Sequence, residues 1–250
     1  MWKPFTQSTL MEAPILTTMV VLYSMGVRLD TTMLVERLPL TTVFLKLEKQ
    51  GVLKRGESKK DRIRHRAKPS VPKRTTGFGH NSITMVLMSS GNGALREKEI
   101  TVKIFQNGVF HITGVLDELY DRDVVARIQQ SILETCPEAV LEGTWTPNTR
   151  RVVLMNYKTC LRGVSNLSRE RLHASLRRLG YKTNYEPAVY PAVKVYFPDT
   201  KWIAKVFRTG QVILTGMTTA EECEALVRQL SPALTTAVES PPAPALPMPG

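Results

Sequence analysis

The sequence spells one hairpin-like segment twice, and this repetition constrains the fold more than any other feature. Residues 103–114 read KIFQNGVFHITG and residues 205–216 read KVFRTGQVILTG, with five identities in twelve columns at an offset of 102. Each copy has a run of strand-forming residues, a break at Gly108 or Gly210, a second run and a Thr-Gly stop. Asn107-Gly108 favours a two-residue turn, because glycine accepts a positive φ. The chain is therefore predicted to contain an internal duplication.

The flanks of the two hairpins repeat as well. A helix-like stretch follows each copy, at 117–134 and 218–230, and in the second Thr218 and Glu221 match a capping box. Each half thus reads β-α-β-β-β-α, an α+β arrangement in which an antiparallel sheet carries helices on one side. The upstream strands, separated in each half by a short helix, are predicted at 15–23 and 82–89 and again at 151–161 and 192–197.

Alternation along the hairpin strands predicts side chains that face away from the helices. Lys103 and Phe105 form such an outward pair in the first half. The second half repeats the pair as Lys205 and Phe207. An exposed phenylalanine beside an exposed lysine in both halves indicates a binding surface, unless a loop covers the rings.

The net charge of +12 favours a polyanionic partner. Most of the excess lies in residues 46–74, which hold twelve basic and three acidic residues, a net charge of +9. Few large apolar side chains occur there, so the segment is predicted to be a mobile loop. It is either a solvated insertion or a nucleic-acid arm or nuclear-import signal. The last ten residues, PPAPALPMPG, predict a Pro-rich tail.

Several functional classes find no support in the sequence. No run of eighteen apolar residues and no secretory signal is present. The three cysteines have no CxxC spacing, and no glycine-rich phosphate-binding motif occurs. We therefore predict neither an enzyme nor a metal or cofactor site. The four histidines have no carboxylate or cysteine partners at ligand spacing: His65, His80, His111 and His173.

In its repeated motifs the sequence resembles the TATA-box-binding protein family. The family's Phe-x-x-Gly hairpin ending in Thr-Gly is matched by FQNG…ITG and FRTG…LTG, and residues 184–197, NYEPAVYPAVKVYF, resemble its Tyr-Glu-Pro and Phe-Pro stretch. The resemblance implies a saddle of two β-α-β-β-β-α repeats that form one continuous antiparallel sheet with helices on the convex face. It divides the chain into an N-terminal extension (1–13), a first repeat (14–136) with a basic insertion (46–80), a second repeat (137–234) and a Pro-rich disordered tail (235–250).

The resemblance also implies a general transcription initiation factor that lays its concave sheet in the minor groove of promoter DNA. Proteins of this kind wedge side chains between base steps and offset the cost of unstacking with the contact surface of bent DNA. The family's wedge positions fall on Ile83 and Phe105 in the first half and on Tyr190, followed by Pro191, and Phe207 in the second.

Further DNA-facing positions of the family map onto the inner strands. Polar residues at four of them, including both outward lysines, imply relaxed TATA specificity and stronger dependence on salt. Those four are Lys103, His111, Lys158 and Lys205. The resemblance aligns Thr18 with Asn156 and Val20 with Lys158. The remaining mapped positions are Thr18, Val20, Thr113, Asn156, Ile213 and Thr215.

The resemblance implies protein partners as well as DNA. Glu186 and Val189 match the loop through which the family binds transcription factor IIB. The implied partners are therefore promoter double-stranded DNA, a transcription factor IIB-like protein and the RNA polymerase machinery, with no membrane and no small-molecule substrate. The implied location is the nucleus or a viral transcription compartment, not the exterior, and the divergence suits a large DNA virus or an early-branching relative.

Two other functions remain open at this stage. Lys158 and His111, in the centre of the implied DNA surface, favour a scaffold that docks transcription-initiation proteins without bending DNA. Single-stranded nucleic acid is the third alternative, but it needs stacking aromatics near the sheet centre, whereas here they fall towards the ends.

Overall fold

The two halves inferred from the duplication fold as two units, each built on an antiparallel sheet with helices. The computed structural model describes residues 10–64, 81–146 and 149–239. The first unit comprises residues 18–153, and the second unit comprises residues 1–17 and 154–250. The predicted α+β class is confirmed.

The first unit carries a sheet with the strand order β1-β7-β6-β5-β3-β4, in which every pair is antiparallel, and a separate β2-β8 pair. Helix α3 packs against β5 and β7, and α1 packs against β3 and β5. The elements are β1 (Ile15–Ser24), β2 (Val27–Leu29), α1 (Thr31–Arg37), β3 (Phe44–Lys49), β4 (Leu53–Gly56), α2 (Lys59–Arg64), β5 (Ser82–Ser89), β6 (Lys98–Phe105), β7 (Val109–Val115), α3 (Glu118–Thr135) and β8 (Val140–Gly143).

The second unit repeats this plan with the strand order β10-β11-β12-β13-β9, again antiparallel. Helix α4 packs against β10 and β11, and α5 packs against β13 and α4. The elements are β9 (Arg151–Cys160), α4 (Arg169–Arg178), β10 (Lys182–Asn184), β11 (Ala192–Tyr196), β12 (Ile203–Phe207), β13 (Gln211–Met217) and α5 (Ala220–Glu239).

The predicted alternation along the hairpin strands decides which face each side chain takes. In β6, Val102 and Ile104 are fully buried on the helix side, whereas Lys103 is exposed and Phe105 is half-buried. Strand β12 repeats the pattern, with buried alanine and valine alternating with half-buried lysine and phenylalanine. We call the side of each sheet away from its helices the open face.

The hairpins close through three-residue loops rather than the predicted two-residue turn. Gly108 and Gly210 have φ of 75° and 77°, and the amide of each donates to the carbonyl of the phenylalanine three residues earlier at 3.0 Å. A Cβ at Gly108 would lie 2.1 Å from the Val27 carbonyl oxygen, and one at Gly210 would lie 2.4 Å from that of Val164. Only glycine fits at either position.

Each unit contains one more sheet strand between its short helix and the hairpin than the predicted β-α-β-β-β-α order. These strands are β3 and β10, and the first unit adds β4 and α2. The interpretation of residues 46–74 as a mobile loop is therefore wrong for residues 46–64. Leu47 is fully buried and Lys46 is nearly so, because ion pairs compensate its charge. Residues 65–74 and the rest of the predicted insertion up to residue 80 lie outside the described residues.

The ends of the predicted repeats also differ from the structure. Residues 10–13, predicted as part of an extension, pack in the second unit, where Met11 is buried. Residues 137–146 and Arg150 belong to the first unit, because β8 pairs with β2 and Arg150 bonds to Asp121. Helix α5 continues through residues 235–239, where the predicted tail begins, because Ala237 is buried. Residues 1–9 and 240–250 lie outside the described residues.

The start of α5 differs by one residue from the predicted capping box. Thr219, not Thr218, accepts through its hydroxyl from the amide of Glu222 at 3.3 Å. The Glu222 carboxylate in turn accepts from the Thr218 and Thr219 amides at 2.5 and 3.3 Å. The reciprocal box therefore forms between Thr219 and Glu222, because the helix begins at Ala220.

Candidate nucleic-acid interface

Strand register gathers the predicted residues of the second unit into rows on its open face. One row crosses β11, β12, β13 and β9 and holds three lysines beside one apolar side chain. It consists of Lys194, Lys205, Ile213 and Lys158. This row is therefore strongly cationic, as suits contact with a phosphate backbone.

The neighbouring row of the second unit carries the polar pair that the family resemblance singled out. Thr215 on β13 donates its hydroxyl hydrogen to the side-chain oxygen of Asn156 on β9 at 2.5 Å. Both residues are half-buried. Because the side-chain oxygen of Asn156 already accepts from Thr215, its NH₂ group is the part that a ligand would contact. That group only donates hydrogen bonds.

Two aromatic rings meet at the end of the same face. Phe207 ends β12 opposite Ala192, and Tyr190 lies just before β11. Their ring centroids are 6.1 Å apart at an interplanar angle of 60°, an edge-to-face contact, and both are half-buried. Pro191 is exposed, and its carbonyl accepts from Arg169 at 2.7 Å, which fixes the approach of Tyr190. The structure thus brings together the second predicted wedge pair.

Two lysine ammonium groups lie close to the Tyr190 ring. The ammonium group of Lys194 lies 4.9 Å from the ring centroid and that of Lys205 lies 5.9 Å away. Lys194 was missed in the sequence, although it lies two residues after Ala192 and alternation along β11 would have put it on this face. The aromatic end of the second unit is therefore a cationic one.

The turn before Tyr190 presents the predicted protein-binding residues. The amides of Val189 and Tyr190 both donate to the Glu186 carbonyl at 2.9 Å, so the backbone is closed locally. The Glu186 carboxylate accepts from Asn184 at 2.8 Å. Val189 is 76% exposed, which leaves an apolar side chain in solvent beside an acidic one. These are the two residues that the family resemblance assigns to a protein-binding loop.

In the first unit, register corrects two of the predicted correspondences. Val20 pairs with Thr113, which gives Val20, not Thr18, the place that Asn156 has in the second unit. Val21 pairs with Ile112 and Tyr157 pairs with Leu214, so β1 and β9 correspond at an offset of 136 residues. The predicted alignment of Thr18 with Asn156 has an offset of 138, which is two residues too many. Thr18 is half-buried and lies further along the strand.

The equivalent of Lys158 is consequently Leu22, which the sequence reasoning missed. Leu22 pairs with His111, and His111 pairs with Lys103. Burial and the Lys103 charge lower the pKa of His111 below its ordinary value. The central row of the first unit is therefore less cationic than that of the second.

Ile83 is not a wedge residue. It is fully buried on the helix side of β5, opposite the buried Ile104, whereas its neighbour Ser82 pairs with Phe105. Ser82 has the place in the first unit that Ala192 has in the second, because each pairs with the hairpin phenylalanine. Tyr190 lies two residues before Ala192, so the residue equivalent to Tyr190 is His80, two residues before Ser82. His80 lies outside the described residues.

The open face of the first unit is also partly covered. Val86 is only 4% exposed, although it lies in the row of the half-buried Thr101 and Thr113. Its equivalent by register in the second unit, Tyr196, is half-buried. Ser58, Lys60 and Asp61, at the start of α2, line a cleft together with Val86 and so lie over this part of the sheet.

Other kinds of site are not evident in the part of the chain that the structure describes. No group of three or more His, Cys, Asp or Glu side chains there could hold a metal ion. None of the helices in those same ranges has both the length and the apolar character that a bilayer crossing requires.

Comparison with known proteins agrees with this geometry. Residues 168–237 match the model of the family described as transcription factor TFIID (or TATA-binding protein, TBP). Among solved structures, the chain is similar to Methanococcus jannaschii TBP, with a TM-score of 0.57 at 14% identity over 90% of this chain and 99% of that one. At that identity the likeness shows the fold. None of the curated proteins matches the chain.

Proposed function

We propose that the chain is a divergent member of the TATA-box-binding protein family and a transcription initiation factor that binds promoter DNA in the minor groove and bends it. The match of residues 168–237 to the family model and the fold shared with an archaeal TBP support this proposal. Its site of action is then the nucleus or another compartment in which transcription starts. The open faces of the two sheets are the DNA-binding surfaces, and no catalytic step is involved.

The observation that carries this proposal is the aromatic pair Tyr190 and Phe207. The two rings stand half-buried at the end of an open sheet face, with lysine ammonium groups 4.9 and 5.9 Å from the Tyr190 ring. An apolar wedge must remain accessible to enter a base step, and unstacking costs a few kcal/mol that the bent duplex repays in contact. The lysines supply the charge that holds the backbone beside the kink.

The Thr215–Asn156 pair favours A·T base pairs at the part of the minor groove that this pair contacts. The minor-groove edge of an A·T pair offers only acceptors, whereas a G·C pair adds a donor. Because Thr215 engages the Asn156 oxygen, the amide NH₂ donates to the acceptors of A·T pairs. The adjacent lysine row is indifferent to sequence, since phosphates carry no base information. We therefore propose a weak A·T preference on a strong, salt-dependent affinity.

Resonance energy transfer across an end-labelled A·T-rich duplex tests the proposal. Wild type is expected to shorten the distance between the ends, and Tyr190→Ala or Phe207→Ala to lose that change. Phe105→Ala tests the first unit. Leu133→Ala removes an exposed apolar side chain from α3 on the helix side and serves as the control. Binding that bends no DNA and is indifferent to the aromatic substitutions would overturn minor-groove wedging.

A second candidate function is supported by the turn before Tyr190. Val189, exposed by 76%, and Glu186 form a small surface suited to a transcription factor IIB-like protein. A scaffold that docks such proteins without bending DNA uses this surface alone. It predicts that Val189→Asp abolishes capture of the initiation factor, whereas Phe207→Ala leaves capture unchanged and the duplex stays straight.

A further inference from the structure

A short part of the insertion lies on the open face of the first unit. We call residues 57–62, which join β4 to α2 and begin that helix, the cover. The effect is clearest at two lysines in equivalent positions. Lys46 pairs with Val86 and is only 7% exposed, whereas Lys182 pairs with Tyr196 in the second unit and is exposed. The same row is therefore closed in one unit and open in the other.

Asp61 anchors the cover to the sheet. One of its carboxylate oxygens accepts from the Lys46 ammonium group at 3.0 Å and lies 3.4 Å from that of Lys54. The other oxygen accepts from the amide and the hydroxyl of Ser58 at 3.0 and 2.8 Å. Lys46 also contacts Glu48 at 2.6 Å. Both carboxylates therefore neutralise a lysine that the open face would otherwise present.

Asp61 and Lys46 are both charged near neutral pH. Burial alone would raise the pKa of the Asp61 carboxyl, but the bonds from Ser58 and Lys46 outweigh it and hold that pKa well below its usual range. Burial would likewise lower the pKa of Lys46, but Glu48 and Asp61 outweigh it and raise it. The ion pair between them is therefore not lost by titration of either group near neutral pH.

A second contact joins the cover to β6. The amide of Lys59 donates to both carboxylate oxygens of Glu99, at 3.2 and 3.0 Å. A cleft of about 430 Å³ remains between cover and sheet, lined by Thr84, Lys103 and other polar residues of the open face. The cover thus reaches the row of the predicted DNA-binding residue Lys103.

We propose that the cover competes with duplex DNA for the open face of the first unit and is displaced when DNA binds there. The Asp61 carboxylate occupies, on Lys46 and Lys54, the place that a backbone phosphate would take. While it stays, Glu48 and Glu99 add negative charge to a face that must meet a polyanion. This inference rests on the proposed function, because it assumes that the open face binds DNA.

Duplex affinity measured with Asp61→Asn and Glu57→Gln tests the competition. Both substitutions remove one negative charge from the cover, but the exposed Glu57 makes no ion pair within the described residues. If the cover is closed in about nine molecules of ten, it weakens the apparent affinity about tenfold. Asp61→Asn is therefore expected to bind an A·T-rich duplex up to about tenfold more tightly than Glu57→Gln. Equal affinities, or weaker binding by Asp61→Asn, would overturn the competition and make the cover a supporting element.

Hydrogen exchange of the unaltered protein provides a test that needs no substitution. The Lys59 amide donates to the Glu99 carboxylate in the free protein. It is expected to lose its protection from hydrogen exchange when the protein is saturated with duplex. Retained protection in the complex would contradict displacement. Phe207→Ala, made alone, separates this result from the proposed function. If that variant still bends DNA, the wedge proposal fails, whatever the cover does.

Discussion

Replacing Lys194 or Lys205 by glutamine tests whether the aromatic end of the second unit meets a DNA backbone. The two residues lie opposite each other on β11 and β12, with ammonium groups 4.9 and 5.9 Å from the Tyr190 ring. A side chain that wedges into the minor groove lies between two phosphate backbones, so cations beside it reach phosphates. Each such contact contributes about 0.9 to the slope of log K against log salt. We expect each substitution to reduce the slope by about 0.9 and the double substitution by about 1.8.

The effect is measurable by fluorescence anisotropy over a fourfold range of salt. Over that range, each lost contact reduces the salt-induced loss of affinity by about 3.5-fold. Lys98→Gln is the matched control, because Lys98 also lies over a ring, 5.6 Å from the Tyr120 centroid, but on the helix side of β6. It removes the same charge and is expected to leave the slope unchanged.

A common slope for all three single variants would refute the reasoning. It would mean that the protein attracts DNA through its net charge and not through a backbone placed at Tyr190. Thermal unfolding of each variant checks the fold, since the cation–π contacts contribute only about 0.5–1 kcal/mol at exposed sites.

Three further predictions concern stability, pH and thiol chemistry. Asp121 is fully buried and bonds to Arg150 at 2.9 and 3.0 Å, so Asp121→Ala is expected to lower the free energy of unfolding in urea by about 3–5 kcal/mol. The pKa of His111 is lowered in the folded state, so stability falls as pH drops below about 6.5 towards that lowered pKa, and His111→Gln should flatten this part of the curve of thermal midpoint against pH. Burial raises the pKa of the Cys223 thiol to about 12, so the half-buried Cys160 is expected to react first with a thiol reagent at pH 8, as peptide mapping would show.

The parts of the fold that repeat were predictable from the sequence. Gly108 and Gly210 mark hairpins because no other residue fits their loops, and period-two alternation assigns Phe105 and Phe207 to the open face. These signals are local, and both copies carry them. The aromatic pair of the second unit followed from the same alternation once the resemblance supplied Tyr190.

The errors arose where a position depends on pairing between strands. Motif position assigned a wedge to Ile83, which strand pairing places opposite the buried Ile104. Thr18 was aligned with Asn156 at an offset of 138, whereas strand pairing gives an offset of 136 between β1 and β9. Strand β3 was not predicted, because its charged residues are typical of a solvent-exposed loop. Its one fully buried side chain, Leu47, is too weak a signal, and the burial of Lys46 depends on Asp61, fifteen residues away.

The close packing around Gly108 and Gly210 affects how firmly the hairpins hold their phenylalanine rings. A bent duplex pushes back on whatever holds it bent, and the elastic energy stored over a binding site is on the order of 1–6 kcal/mol. Phe105 and Phe207 each lie three residues before a glycine, and the carbonyls of Gly108 and Gly210 accept from the amides of Met25 and Leu161 at 3.1 and 2.8 Å. These hydrogen bonds join each hairpin loop to a neighbouring segment of its own unit. The loop is therefore expected to stay rigid when bent DNA exerts force on the phenylalanine ring.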